Sequence, residues 1–123
     1  MSEIHTDRDG RALQGHDVVA YFTLGKQVEG DPAISHDWNG ATWLFSTEGH
    51  KAAFVDDPEA YAPAFGGHCA VAGSMGMQLP GSPKRWRIDD GRLYINKNLM
   101  AAAGFPLLAG RIRRAAEAGH GDR

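Results

Sequence analysis

Two dipeptides, Asn39-Gly40 and Asp90-Gly91, are each flanked by alternating apolar residues, and they commit this chain to two antiparallel hairpins. Two-residue loops of this kind hold both central residues at positive φ, which matches the twist of paired strands. Counting outward from the first turn pairs Trp38 with Ala41, Asp37 with Thr42, His36 with Trp43, Ser35 with Leu44 and Ile34 with Phe45. One face then carries Ile34, His36, Trp38, Ala41, Trp43 and Phe45, and the other is mostly polar. The second turn pairs Asp89 with Arg92, Ile88 with Leu93, Arg87 with Tyr94 and Trp86 with Ile95. That hairpin reads as scaffold, with Trp86, Ile88, Leu93 and Ile95 inward and an Asp89–Arg92 ion pair outward.

Shorter signals fill the rest. Val18 to Phe22, after the Gly15-His16-Asp17 turn, reads as a further strand. Ser46 is a good N-cap, opening a helix to about Val55 on which His50 and Phe54 share a face. Asp57-Pro58-Glu59 opens a second, short helix with proline at its first position. From Gly73 to Lys84, with Pro80, Gly81 and Pro83, the chain reads as loop. After Asn96 it turns helical, is interrupted at Gly104-Phe105-Pro106, and resumes from Leu107 to about Ala118, with Gly119 as the stop. The expectation is an α+β fold: one small domain over residues 12–118, between tails at 1–11 and 119–123. Its parts are two antiparallel hairpins, short helices between them and a C-terminal helical segment. No internal repeat is visible.

Composition limits the function classes. At 123 residues, 42% of them hydrophobic, the chain can build one core without disulfides. A formal net charge of −2 argues against nucleic acid as a partner. Nothing approaches the ~20 apolar residues that span a bilayer, and the opening Met1 to Gly10 has no apolar run of the secretory kind. The chain therefore reads as cytoplasmic, where a single thiol stays reduced.

That thiol is Cys69, in the run Phe65-Gly66-Gly67-His68-Cys69-Ala70. A lone cysteine staples nothing, so it is either a small buried hydrophobe or a site of chemistry. His68 is adjacent, His50 lies on the buried stripe of its helix, and His36 lies on the inner face of the first hairpin. Thiolate with imidazole suits copper or zinc, although no C-x-x-C or H-x-x-x-H spacing is present. Each histidine has a plainer reading: His36 as a stacked core ring, His50 as a helix-boundary residue, His68 as a surface side chain. Met75 and Met77 add thioethers that equally well fill gaps. Sites built on a nucleophile elbow, a phosphate-cradling loop or a zinc-protease helix have no motif here.

Taken in order, these segments resemble the bacterial YHS-domain family. The resemblance rests on Gly15-His16-Asp17-Val18-Val19-Ala20-Tyr21-Phe22, on His36 through Phe45, on Phe54 through Pro63, and on Phe65 through Ala70. Gly81-Ser82-Pro83 with Trp86, and Asp90 through Asn96, complete it, so it covers roughly residues 12 to 117. It implies a small metal-associated module of the kind found in metal-transport and oxygenase settings. Metal-associated branches of that family typically use more than one cysteine, which argues here against a closed structural zinc site. His68 stands where the family pattern more often has tyrosine, adding a ligand type beside Cys69. The reading is a transition-metal module, copper(I) before zinc, for sensing, buffering or delivery. Cys69 is its ligand, with one or more of His68, His50 and His36, and a shared metal could join two chains as a homodimer. The alternatives are a thiol-dependent enzyme or redox protein using Cys69 with His68 or His50, and a metal-free module binding a ligand or partner on Tyr21, Trp38, Trp43 and Phe45.

Overall fold

The computed structural model describes residues 4–75 and 79–121. In chain order it has α1 (Val18–Thr23), β1 (Asp31–Trp38), β2 (Ala41–Phe45), α2 (Glu48–Asp56) and α3 (Pro58–Tyr61). There follow α4 (Ala70–Ser74), β3 (Ser82–Asp89), β4 (Arg92–Asn96) and α5 (Leu99–Gly121). Tight turns at Leu13–Gly15 and Ala64–Gly67 precede α1 and α4. The sheets are two separate antiparallel hairpins, β1-β2 and β3-β4. The fold is α+β, as the sequence predicts. Among the described residues no helix is long and apolar enough to cross a membrane.

Both hairpins close on the expected turns, with Asn39 and Asp90 at φ 53° and their glycines at 80° and 77°. The second keeps the predicted register throughout. The first keeps it from Trp38–Ala41 out to Ser35–Leu44; a register shift then pairs Phe45 with Asp31 rather than Ile34.

Four segments differ from the expectation. Val18 to Thr23 is a helix, because Asp17 caps it and Val18, Val19, Ala20 and Tyr21 are all buried rather than alternating. Burial on every side removes the period-two pattern that a half-exposed strand would need. The cap of α2 is Thr47, whose hydroxyl accepts from the His50 N–H at 3.0 Å, while Ser46 turns toward Asp17. Further on, α5 runs unbroken through Pro106. That proline is exposed, so water can take the place of its missing N–H. The predicted loop is in part α4 and β3; residues 76–78 within it, Met77 among them, lie outside the described residues.

The structure also reveals a repeat that the sequence hides. In Leu13-Gln14-Gly15-His16 and in Phe65-Gly66-Gly67-His68, three successive residues sit at positive φ (54°, 52° and 82°; 56°, 64° and 84°). The backbone then extends through the histidine, and the next residue, Asp17 or Cys69, is the N-cap of a short helix. Asp17 N–H donates to the Val28 carbonyl at 2.8 Å, and Cys69 N–H to Leu79 at 2.9 Å. A hairpin follows each, then a capped helix. Asn98 Oδ1 accepts from Ala101 N–H at 2.9 Å, as Thr47 does for α2. Phe54 packs on Trp43 with ring centroids 4.9 Å apart, and Phe105 on Tyr94 at 5.1 Å.

The two units share an interior. Leu93 and Ile95 of the second join Val18, Val19, Tyr21, Trp43, Phe45 and Phe54 of the first in one cluster. A smaller cluster of Ala64, Ala70, Tyr94, Phe105, Ile112 and Ala116 lies under α5. Tyr21 crosses between units, donating its hydroxyl to the Pro83 carbonyl at 3.0 Å and resting on Trp86 at 5.1 Å.

Each unit has one glycine where backbone meets backbone. A Cβ at Gly30 would lie 2.6 Å from Leu44 Cβ and 2.9 Å from the Gly15 carbonyl oxygen; at Gly81 it would strike the equivalent Ile95 and Gly67 oxygen. Gly30→Ala is therefore expected to destabilise the protein by about 1–3 kcal/mol in urea unfolding. Asn96 is fully buried, with no partner for either amide atom among the described residues, where the first unit has Phe45. Asn96→Leu is expected to raise Tm, since removing an unsatisfied buried amide recovers about 1–3 kcal/mol.

Candidate functional site

Asp17 is a carboxylate with no solvent exposure, and it gathers five donors. Oδ1 accepts from the N–H of Val19 at 2.9 Å and of Ala20 at 3.2 Å, which is the capping geometry of α1. Oδ2 accepts from Ser46 N–H at 2.8 Å, Ser46 Oγ at 2.6 Å and His50 Nδ1 at 2.7 Å. The start of α1, the end of β2 and the first turn of α2 therefore meet on one carboxylate. Burial, the largest single influence, pushes its pKa up, but the Ser46 donors and His50 together hold it below the usual value.

His50 Nε2 lies 3.1 Å from Thr23 Oγ1, which also reaches the Val19 carbonyl at 3.3 Å. A carboxylate can only accept, so Nδ1 carries a proton. Neutral His50 then accepts from Thr23 at Nε2; protonated His50 donates there, and the hydroxyl proton turns to Val19. Hydroxyl, imidazole and carboxylate stand in the order of a nucleophile relay. Yet Thr23 sits in the last turn of α1, where the negative end of the helix opposes an alkoxide. The arrangement is a clamp between elements.

The four residues singled out from the sequence are dispersed. His50 is committed to Asp17 and Thr23. His36 pairs with Trp43 in the ladder and presents its ring to Phe54, centroids 6.3 Å apart. Cys69 is a buried free thiol at the N-cap of α4, with its backbone bridged to Ile95. His68 precedes it at φ −75° and ψ 164°, and is half-buried where Cys69 is buried. Met75 is exposed. Among the described residues no group of three or more His, Cys, Asp or Glu stands ready to hold a metal.

What His68 does face is His5, with ring centroids 5.1 Å apart and planes tilted 48°. The N-terminal segment is brought there by the His5 N–H, which donates to the Gly66 carbonyl at 2.8 Å. His68 Nδ1 lies 2.9 Å from the Phe65 carbonyl and must donate to it, so the other nitrogen, Nε2, keeps a lone pair in the neutral ring. His16 makes the same bond to Leu13 in the first unit, so this bond belongs to the turn; the facing imidazole is what distinguishes His68. Burial first, and then His68, lowers the pKa of His5, with Asp7 opposing.

Sequence reasoning passed over His5 and Asp17. Nothing local marks His5, because its partner is far along the chain. Asp17 could have been found: it directly precedes an apolar run that begins a helix.

Asp17→Asn is expected to unfold at markedly lower urea, because loss of one partner from a buried pair costs about 3–5 kcal/mol. The folded-state pKa of Asp17 is lowered, so its stabilisation is present above the ordinary carboxylate value and fades as pH falls below it. Unfolding free energies measured downward from neutral pH should accordingly drop more steeply for the parent than for Asp17→Asn below about pH 4. Parallel curves would refute this assignment. Comparison of the chain with protein-family models, with curated proteins and with solved structures finds no match.

Proposed function

We propose that this chain captures a single soft transition-metal ion, copper(I) before zinc(II), between His5 and His68, for sensing, buffering or delivery without turnover. The facing imidazoles carry this reading. The Phe65 carbonyl holds Nδ1 of His68, as a carbonyl often orients a metal-bound imidazole, and this leaves Nε2 for a metal. The lowered pKa of His5 favours its neutral, ligating form. Two neutral imidazoles satisfy copper(I), whereas structural zinc takes four ligands and none of the described clusters offers three. The ordered motifs that resemble YHS-domain proteins support a metal-associated role, and a reducing cytoplasm would present copper in this oxidation state. In this reading Cys69 is a buried neighbour rather than a ligand, and His36 and His50 serve the fold.

A competition titration with a chromogenic copper(I) chelator, run anaerobically, tests the assignment. His5→Ala and His68→Ala should each weaken binding about tenfold or more, on the scale of disturbing a metal's immediate shell. Cys69→Ala and His50→Ala should retain it. Affinity should fall as pH drops, since protons compete with the metal for the ligand nitrogens. Unchanged affinity in His68→Ala would refute the pair, and loss confined to Cys69→Ala would move the ion to the thiolate.

A further inference from the structure

The two structural units carry opposite charge. Residues 1–61 hold four Lys and Arg against eleven Asp and Glu, while residues 62–123 hold nine against four. Much of the positive charge gathers where α5 crosses β3 and β4. In the first unit the corresponding hairpin–helix contact is made by His36, Trp38 and Ala41 around Trp43 and Phe54. In the second, Arg87, Asp89 and Arg92 stand at those ladder positions around Tyr94 and Phe105. The architecture closes with an aromatic ring, an indole and a methyl group, so it does not require guanidinium groups there.

The charged set is organised. The Arg87 guanidinium lies over the Phe105 ring, 5.0 Å from its centroid, which orients the fork. From α5, which extends beyond the length of α2, Arg113 Nη1 approaches Asp89 Oδ2 at 3.5 Å. That contact is an ion pair without an aligned hydrogen bond, for Asp89 Oδ2 is buried and lacks one. Arg92 and Arg113 both act on the Tyr94 hydroxyl, against burial and Asp89, which raise its pKa. Arg92 and Arg113 thus flank the Tyr94 phenol, Arg113 also pairs with Asp89, and Arg87 lies over the neighbouring Phe105 ring. Arg87 is exposed, Arg92 half-buried, and the Arg113 side chain 43% exposed, so all three remain open to solvent.

We propose that Arg87, Arg92 and Arg113 form a binding site for a phosphate-type oxyanion, either free phosphate or the phosphate monoester of a small metabolite. Planar guanidinium forks match the paired oxygens of such a group, and two positive charges are left after Asp89 is counted. The site is independent of the His5–His68 pair.

NMR titrations of the intact protein at constant ionic strength test it, using inorganic phosphate in one series and glycerol 3-phosphate in the other. Saturable shifts confined to β3, β4 and the facing part of α5 are expected, and the tighter of the two probes identifies the source. Arg87→Gln, Arg92→Gln and Arg113→Gln should each weaken binding about tenfold, the scale of one hydrogen bond to a charged group. Asp89→Asn should tighten it, because the competing carboxylate charge is gone. Arg111→Gln, an equal change of charge at an exposed position of the same helix, should have little effect. Non-saturable shifts, or equal weakening by Arg111→Gln and Arg87→Gln, would overturn the proposal. So would weaker binding by a folded Asp89→Asn variant.

Discussion

The fold of the first unit depends on one buried charge. Asp17 has no contact with solvent, and its two oxygens are shared among three elements that are otherwise joined by loops. Burying a carboxylate is costly unless its lone pairs are filled. Here five donors fill them, two from the helix it caps and three from the end of β2 and from α2. Because each donor comes from a fixed place in the backbone, the charge sets the relative position of α1 and α2 and not only their stability. Phe54, one helical turn beyond His50, is thereby seated against Trp43 and Phe45 in the middle of the larger core.

Cys69 takes on a different meaning against this clamp. It occupies in the second unit the place that Asp17 occupies in the first, after the same left-handed turn and at the same helix cap. Where the first unit has Ser46 and His50 opposite its carboxylate, the second has Lys97 and Ala101 at the matching positions, and Cys69 makes no capping bond. The second unit relies instead on α5, whose Phe105, Ile112 and Ala116 supply an apolar cover. One architecture is therefore held by a polar clamp on one side and by a long helix on the other. The histidine preceding each cap is kept in both units, and only His68 meets a second imidazole.

Hairpins were the most legible part of the sequence, because Asn39-Gly40 and Asp90-Gly91 fix register through local backbone geometry alone. Legibility fell wherever tertiary contact decided the outcome. Val18 and Val19 favour strand in isolation, yet the Asp17 cap and burial on all sides make them helical. Pro106 suggests a break that α5 does not show, because the proline lies on the solvent side. The repeat is hidden in the sequence because Asp17 against Cys69, Phe45 against Asn96 and His36 against Arg87 share no chemistry; only their backbone roles agree. His68 stands beside Cys69 in sequence, but the ring it meets is that of His5, at the far end of the chain.

X-ray absorption at the copper edge of the copper(I)-loaded protein tests the central functional claim most directly, because it reports the ligand atoms themselves. The account predicts a low-coordinate centre with two nitrogen scatterers, outer-shell features of imidazole rings, and no sulfur. A first shell containing sulfur would place the ion on Cys69 or a methionine and contradict the assignment to His5 and His68.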